Sequence, residues 1–467
     1  MKTERRDARE PLSAPSARSM VRRGVAGGIA CAVLALTCAC TSPHVKGAHR
    51  HDQEVNDVVR LPQEIAPYAS AAGERLAIDG KCRTGLLEEF RERYFIPWTR
   101  TAPQYDVAET RDVMRKTARG TWYGENRRIM VPKLMQDILD NCALESFPSR
   151  NETAIAAVPT HLRGLPTRLP LFSTPEDYPF DMLQYPNVKL NEPLRVLHAS
   201  RDGIWLFVEN AYSAGWLEAR DVALVDRSFI DSWMARPQLV IVRDYTTVTD
   251  RWGIGHRAKI GTILPLAASG EGWWEVEVAS AGEAHRAVTT QARLPHGAAA
   301  SLPLDFNREN LAMIGNQLMG QPYGWGEVYD LRDCSAMLRD FFLPFGIWLP
   351  RTSADQIAST RLRRDLAGMT PQEKEETIRR EGRPFLTLVY KPGHIMLYVG
   401  TDPTGQPLVF HDAWSVRVKE AEGERVQYIG KGVVTTLEPG KELGVPEGAT
   451  LLEQGTALAT ITDRCTK

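Results

Sequence analysis

The apolar positions change their period along the chain. From about residue 78 to 150 they recur at helical spacing, as Leu86, Leu87, Phe90 and Tyr94 and again as Met130, Leu134, Ile138 and Leu139. This predicts a helical segment without any catalytic constellation. From about 155 to 300 short apolar runs alternate with Gly, Pro, Asn and Asp, which predicts strands. Within that region EPLRVLHASRDGIWLFVEN (192–210) recurs as GTILPLAASGEGWWEVEVA (261–279) at a constant shift of 69, placing Leu197 on Leu266, Gly203 on Gly272 and Trp205 on Trp274. Each copy reads as an apolar strand, a Ser/Gly turn and a strand opened by Trp, so each is expected to be a hairpin. Both tryptophans read more readily as core residues than as ligand platforms. After Cys334, the positions Met337, Leu338, Phe341 and Phe342 share one helical face, with Asp333 in the N-cap place and Gly346 just past the end. Further on, His394, Met396 and Tyr398 alternate with Ile395, Leu397 and Val399 after a Pro392-Gly393 turn. Leu408 to His411 reads as a second strand, joined to the first through Asp402-Pro403-Thr404-Gly405.

Composition narrows the class. A chain of 467 residues suggests about three domains, and 43% hydrophobic with 25% charged residues is the balance of a soluble globular protein. The formal net charge of -1 leaves no global basic field for nucleic acid. Seven cysteines are an odd number, so at least one stays outside disulfides. Residues 24–39, GVAGGIACAVLALTCA, follow Arg22 and Arg23 and are too short to span a bilayer, so they read as an export signal. The run ends in Leu36-Thr37-Cys38-Ala39-Cys40, which resembles a bacterial lipobox with Cys40 as the lipidated residue, although Thr37 stands where Leu is usual. The alternative is plain cleavage nearby, releasing a soluble periplasmic protein. Residues 41–77, with His44, His49 and His51, read as a polar tether rather than a metal site. Cys82 and Cys142 flank the helical segment and are a candidate disulfide, with two separate core residues as the alternative. Cys465 has no assignment.

The two repeated β units resemble tandem bacterial SH3-like barrels. The chemistry falls in the last segment. Cys334 opens a helix, where free N–H groups and the macrodipole favour thiolate. Upstream, the loop with Tyr323, Gly324 and Gly326 lets backbone approach a substrate. Folding the downstream hairpin brings His411 within one or two residues of opposite His394. One imidazole then takes the thiol proton while the other holds its ring in the productive tautomer.

The segment 303–455 resembles the NlpC/p60 cell-wall cysteine peptidases, on Tyr323-Gly-Trp-Gly, Asp333-Cys334-Ser335, and a strand opening with His394 followed by His411. With the SH3-like pair and the helical leader, the form is similar to multidomain bacterial lipoproteins that cleave peptidoglycan stem peptides. The resemblance implies an α+β papain-like domain and γ-D-glutamyl endopeptidase activity at L-Ala-γ-D-Glu-diaminopimelate. It assigns Cys334 as nucleophile, His394 as base, His411 as third residue and Tyr323 to the oxyanion hole. Asp333, Ser335, Thr352 and Ser353 become substrate contacts. In such relatives the first SH3-like domain recognises the free amine of L-Ala, for which Asp181 and Trp216 are candidates. Arg351 is a candidate clamp for the α-carboxylate of D-Glu, with a structural ion pair as the alternative. No cofactor or metal is implied, and the partners are stem peptides or muropeptides and, through a lipid, a membrane. The implied organisation is a signal with lipobox (1–40), linker (41–77), helical stabilising segment (78–152), SH3-like domains (153–237 and 238–302), peptidase (303–455) and tail (456–467). The chain is expected to be monomeric and exported to the periplasm, with the choice of membrane open. Three departures stand out: Gly326-Glu327 replaces the usual Gly-Gly, the Tyr323-to-Cys334 spacing of 11 is one short, and Thr352 stands where relatives carry Asp or Asn. Two other readings compete. Cys334, His394 and His411 have the composition of three zinc ligands, but no HExxH is present. A non-catalytic wall-binding lipoprotein with a vestigial peptidase domain is the second.

Overall fold

The helical periodicity of the leader becomes a set of separate helices in the computed structural model, which describes residues 54–465 except 361 and 422. The longest runs Gly80–Tyr94, capped by the Asp79 carboxylate on the Cys82 N–H, and buries Cys82, Leu86, Phe90 and Tyr94 at four-residue intervals. Leu87, expected in that stripe, is only partly covered. In the helix Pro132–Asn141 the buried face is Met135, Ile138 and Leu139. Leu134 is exposed, because the stripe completed by Cys142 runs through 135, 138, 139 and 142.

The leader is spread over two cores rather than folded on itself. Cys82 packs with Phe341, Phe345 and Trp348 in the largest core, whereas Cys142 packs with Leu165, Phe207 and Trp216. That separation overturns the Cys82–Cys142 pairing. Cys82 bonds instead to Cys465, 383 residues away, and Cys142 is a free buried thiol whose sulfur faces the Ile138 carbonyl at 3.4 Å.

Two β units follow, as expected. In the first, a seven-stranded antiparallel sheet places the hairpin Pro193–Ala199/Trp205–Glu209 at its centre. In the second, Ile263–Gly270 pairs with Trp273–Ala281 within a five-stranded sheet. The sequence echo is therefore one hairpin used twice. Trp205 is buried, and Trp274 is half-buried with its indole N–H on the Ala299 carbonyl at 3.1 Å.

The last unit is a six-stranded sheet with the helix Cys334–Phe342 packed on it. Its strands are β1 (Arg363–Asp365), β2 (Thr387–Lys391), β3 (His394–Thr401), β4 (Pro407–Glu420), β5 (Gly423–Thr436) and β6 (Ala457–Thr460). They lie in the order β1-β6-β2-β3-β4-β5. Phe341 and Phe342 of the helix meet Leu397, Phe410 and Val434 of the sheet in the largest core. Gly346, at φ 69°, ends the helical stretch in the left-handed conformation that its position predicts. Among the described residues no helix is long and apolar enough to cross a membrane.

Candidate functional site

The β3–β4 register sets the geometry of the imidazoles. Leu397 pairs with Phe410, so one step further His411 falls opposite Met396, two residues from His394. The rings meet through His394 Nε2 and His411 Nδ1 at 2.8 Å. The proton positions follow from the next two contacts. His411 Nε2 lies 2.9 Å from Thr435 Oγ1, and the Thr435 hydroxyl donates to the Thr436 carbonyl at 2.6 Å. A hydroxyl has one proton, so Thr435 accepts from the His411 Nε2–H. His411 Nδ1 then accepts from the His394 Nε2–H, which leaves His394 Nδ1 as the basic nitrogen. Burial, with the His394 ring beside it, holds His411 well below the ordinary imidazole range, so it stays neutral in this role. Both nitrogens of His411 are engaged and neither is free for a metal; among the described residues no His/Cys/Asp/Glu group has metal-binding geometry.

Cys334 sits at the first position of its helix, capped by the Asp333 carboxylate on the Ala336 N–H at 2.9 Å. The Ile395 N–H, next to His394, donates to its sulfur. The expected thiolate bias of the helix terminus is outweighed. Burial, and then the neighbouring Asp333 and Asp412 side chains, push the thiol up to about 12, against the Ile395 N–H and Arg351. Burial, and then Lys391, lower His394 to about 3. The resting pair is a neutral thiol beside a neutral imidazole. Iodoacetamide alkylation of Cys334 in the substrate-free protein is therefore expected to accelerate through the alkaline range, above the ordinary thiol value of 9.0. A rate already at plateau below pH 6 would show a preformed thiolate–imidazolium pair instead.

The cleft over Cys334 measures about 410 Å³ and is walled by both the last unit and the first β unit. Tyr323, Asp333, Ser335, Arg351, Thr352 and Ser353 all line it. Burial, and then the neighbouring Cys334 and Asp333, push the Tyr323 hydroxyl far above its ordinary value, so it is always a donor. Its ring packs on Trp414, centroids 5.4 Å apart. Thr352 caps the helix Ser353–Ala358 through the Asp355 N–H. Arg351 is occupied internally: Nη1 and Nη2 reach Asp333 at 3.1 and 2.6 Å, Nη1 reaches Ser335 Oγ at 2.9 Å, and Nε reaches Glu327 at 2.9 Å.

The two candidates in the first β unit lie elsewhere. Trp216 is 0% exposed, packed on Phe207 with its indole N–H against the Met114 sulfur, so it cannot line the cleft. Asp181 is buried in an ion pair with Arg163 at 2.7 Å and accepts the Leu171 and Leu183 N–H groups. It braces the loop whose carbonyl receives the Trp325 indole N–H. The wall is formed instead by Gln184, Tyr185, Pro186, Tyr212 and Ser213. Sequence reasoning missed these residues and Thr435; the position of Thr435 on the strand beside His411 is a signal only once the pairing is known. Cys31, Cys38 and the lipidation candidate Cys40 lie outside the described residues.

Four family models match the chain. The NLPC_P60 N-terminal stabilising domain covers residues 29–147, an SH3 domain of SH3b1 type 170–218, an SH3 domain of SH3b2 type 226–271, and the NlpC/P60 family 320–430. Among curated proteins none matches the chain. Among solved structures, an NlpC/P60 endopeptidase from Photobacterium damselae subsp. piscicida is 22% identical with a TM-score of 0.77, over 85% of this chain and 97% of that one. An NlpC/P60 family protein from Bacillus cereus ATCC 10987 is 14% identical with a TM-score of 0.44, over 66% of this chain and 99% of that one. The former shares the fold.

Proposed function

Because this chain is a multidomain member of the NlpC/P60 family of cell-wall peptidases, with a stabilising domain and two SH3 domains before the peptidase domain, we propose that it is a cysteine endopeptidase acting on peptidoglycan stem peptides at the γ-D-glutamyl–diamino acid bond. The observation that carries the reading is the directed chain Thr435–His411–His394 beside a helix-opening cysteine at the floor of a cleft. Cys334 Sγ attacks the γ-carbonyl carbon of D-Glu as its proton passes to His394 Nδ1. The Tyr323 hydroxyl donates to the oxyanion. His394 returns the proton to the departing amine, the C–N bond breaks, and the diamino acid leaves. Water then attacks the thioester, giving one proton to His394 and restoring the Cys334 thiol. No step needs a cofactor. We assign Arg351 chiefly to holding Asp333 and Ser335 rather than to gripping a substrate carboxylate, since four of its five N–H donors are already taken by Glu327, Asp333 and Ser335.

Tyr185, Tyr212 and Ser213 of the SH3b1 domain line the cleft together with the peptidase residues. This supports a substrate with little before its γ-D-Glu, hence short stem peptides with a free L-Ala amine. Export supports the same substrate: the Cys82–Cys465 disulfide suits an oxidising compartment, and Cys40 is the proposed lipid anchor in the periplasm. The purified protein is expected to release free diaminopimelate from L-Ala-γ-D-Glu-diaminopimelate and to act more slowly on the N-acetylated tripeptide. Iodoacetamide should abolish the release and EDTA leave it intact. Loss of activity to EDTA would favour the zinc reading, and no release from either peptide would contradict the proposed bond.

A further inference from the structure

One side chain links the SH3b1 domain to the nucleophile. Glu327 replaces the second glycine of the motif and adopts φ 70°, the left-handed region where a side chain is unusual. It is 0% exposed. Its carboxylate grips two guanidinium groups of the peptidase domain. Arg339 reaches it at 2.6 and 3.1 Å from within the nucleophile helix, and Arg351 at 2.9 Å. Arg351 in turn holds the N-cap Asp333 and Ser335, the two residues flanking Cys334. From the SH3b1 side, the Asn187 N–H donates to Glu327 Oε2 at 3.3 Å and the His161 Nε2–H to the Glu327 carbonyl at 3.1 Å. A second cross-domain pair, Lys189 on Asp340 at 2.7 Å, lies further along the same helix and does not touch Asp333. Burial alone would raise the Glu327 carboxyl, but Arg339 and Arg351 hold it well below the ordinary carboxylate range, so it is ionised.

We propose that Glu327 is a positioning residue that seats Arg351 on Asp333 and Ser335, and so ties the placement of Cys334 to the docking of the SH3b1 domain. The fixed guanidinium is what keeps the N-cap and the sulfur in register with His394 and the Ile395 N–H. This rests on Cys334 being the nucleophile. A left-handed glutamate is kept where glycine would serve the backbone better because its charge is needed between two buried arginines.

The test compares Glu327→Gln, Arg351→Lys and Lys189→Met in the full chain, by tripeptide kinetics, melting temperature and the pH dependence of Cys334 alkylation. Glu327→Gln is expected to lower kcat roughly 10–100-fold through misplacement of reacting groups while KM moves less than about threefold. Its alkylation should begin at lower pH, since Arg351 loses one of its two counter-charges and the local field turns more positive. Arg351→Lys should give the same kcat loss, and it carries the test if Glu327→Gln does not fold. Lys189→Met is expected to lower the melting temperature while keeping kcat near that of the parent. The inference is overturned if kcat follows melting temperature across all three variants, if Arg351→Lys raises KM at unchanged kcat, or if alkylation keeps its parent profile in both Glu327→Gln and Arg351→Lys. Alkylation reads Cys334 without substrate, so these outcomes stand apart from the choice of stem peptide.

Discussion

Cys334→Ala is expected to reduce turnover of L-Ala-γ-D-Glu-diaminopimelate by on the order of 10⁶-fold, the scale at which loss of a covalent nucleophile removes a whole catalytic unit. The substitution takes away a single sulfur at the first turn of a helix whose cap and packing it leaves alone. Asp333 still accepts the Ala336 N–H, Arg351 still holds Asp333, and Phe341 and Phe342 still fill the core. Folding, measured by melting temperature, should therefore stay near that of the parent. It should even gain slightly at high pH, because a buried thiol pushed up to about 12 no longer has to be kept neutral. The sign follows from linkage: the unfolded thiol ionises before the folded one, so ionisation favours unfolding between the two values. Because His394, His411 and Thr435 act as one unit with the sulfur, adding His394→Ala to Cys334→Ala should cost little more. Residual hydrolysis that survives in Cys334→Ala and falls with EDTA would point to a metal-activated water instead.

Tyr323→Phe is expected to lower kcat by about 10²–10³, or about 2.7–4 kcal/mol of transition-state stabilisation, with KM nearly unchanged. The hydroxyl is a permanent donor at the cleft and is the one polar atom removed. Phenylalanine keeps the ring that packs on Trp414 at 5.4 Å, and the Tyr323 N–H still reaches the Gly430 carbonyl at 2.9 Å. A ground-state amide gains little from this donor, whereas a developing oxyanion gains much, which is why the loss falls on kcat. A rise in KM with constant kcat would place Tyr323 in binding rather than in oxyanion stabilisation.

Local chemistry was the legible part of this molecule. A cap, a one-sided apolar run and a terminal glycine define the Cys334–Phe342 helix within a dozen residues, and the structure follows them closely. The repeated hairpin was readable for the same reason: strand, turn and strand are neighbours in sequence. The pairing of His394 with His411 needed only a short loop and an alternating pattern. Contacts set by docking of distant segments were not legible. Cys82 lies near Cys142 in the leader, yet the two face different cores, and the partner of Cys82 is 383 residues away. Trp216 and Asp181 were placed by chemical type, and burial decided otherwise. Arg339 and Asp340 sit in an otherwise apolar helix. Both are buried, because Lys189 and Glu327 from other segments, and Arg332 just before the helix, neutralise them. The thiolate bias expected at the helix terminus is likewise a local effect that burial, with Asp333 beside it, reverses.

Mass spectrometry of the protein quenched during turnover of L-Ala-γ-D-Glu-diaminopimelate tests the central claim most directly. The expected result is the L-Ala-D-Glu acyl group carried as a thioester on the Cys334 peptide of the parent and absent in Cys334→Ala. Release of diaminopimelate with Cys334 unmodified at every quench time, or undiminished release by Cys334→Ala, would contradict the account.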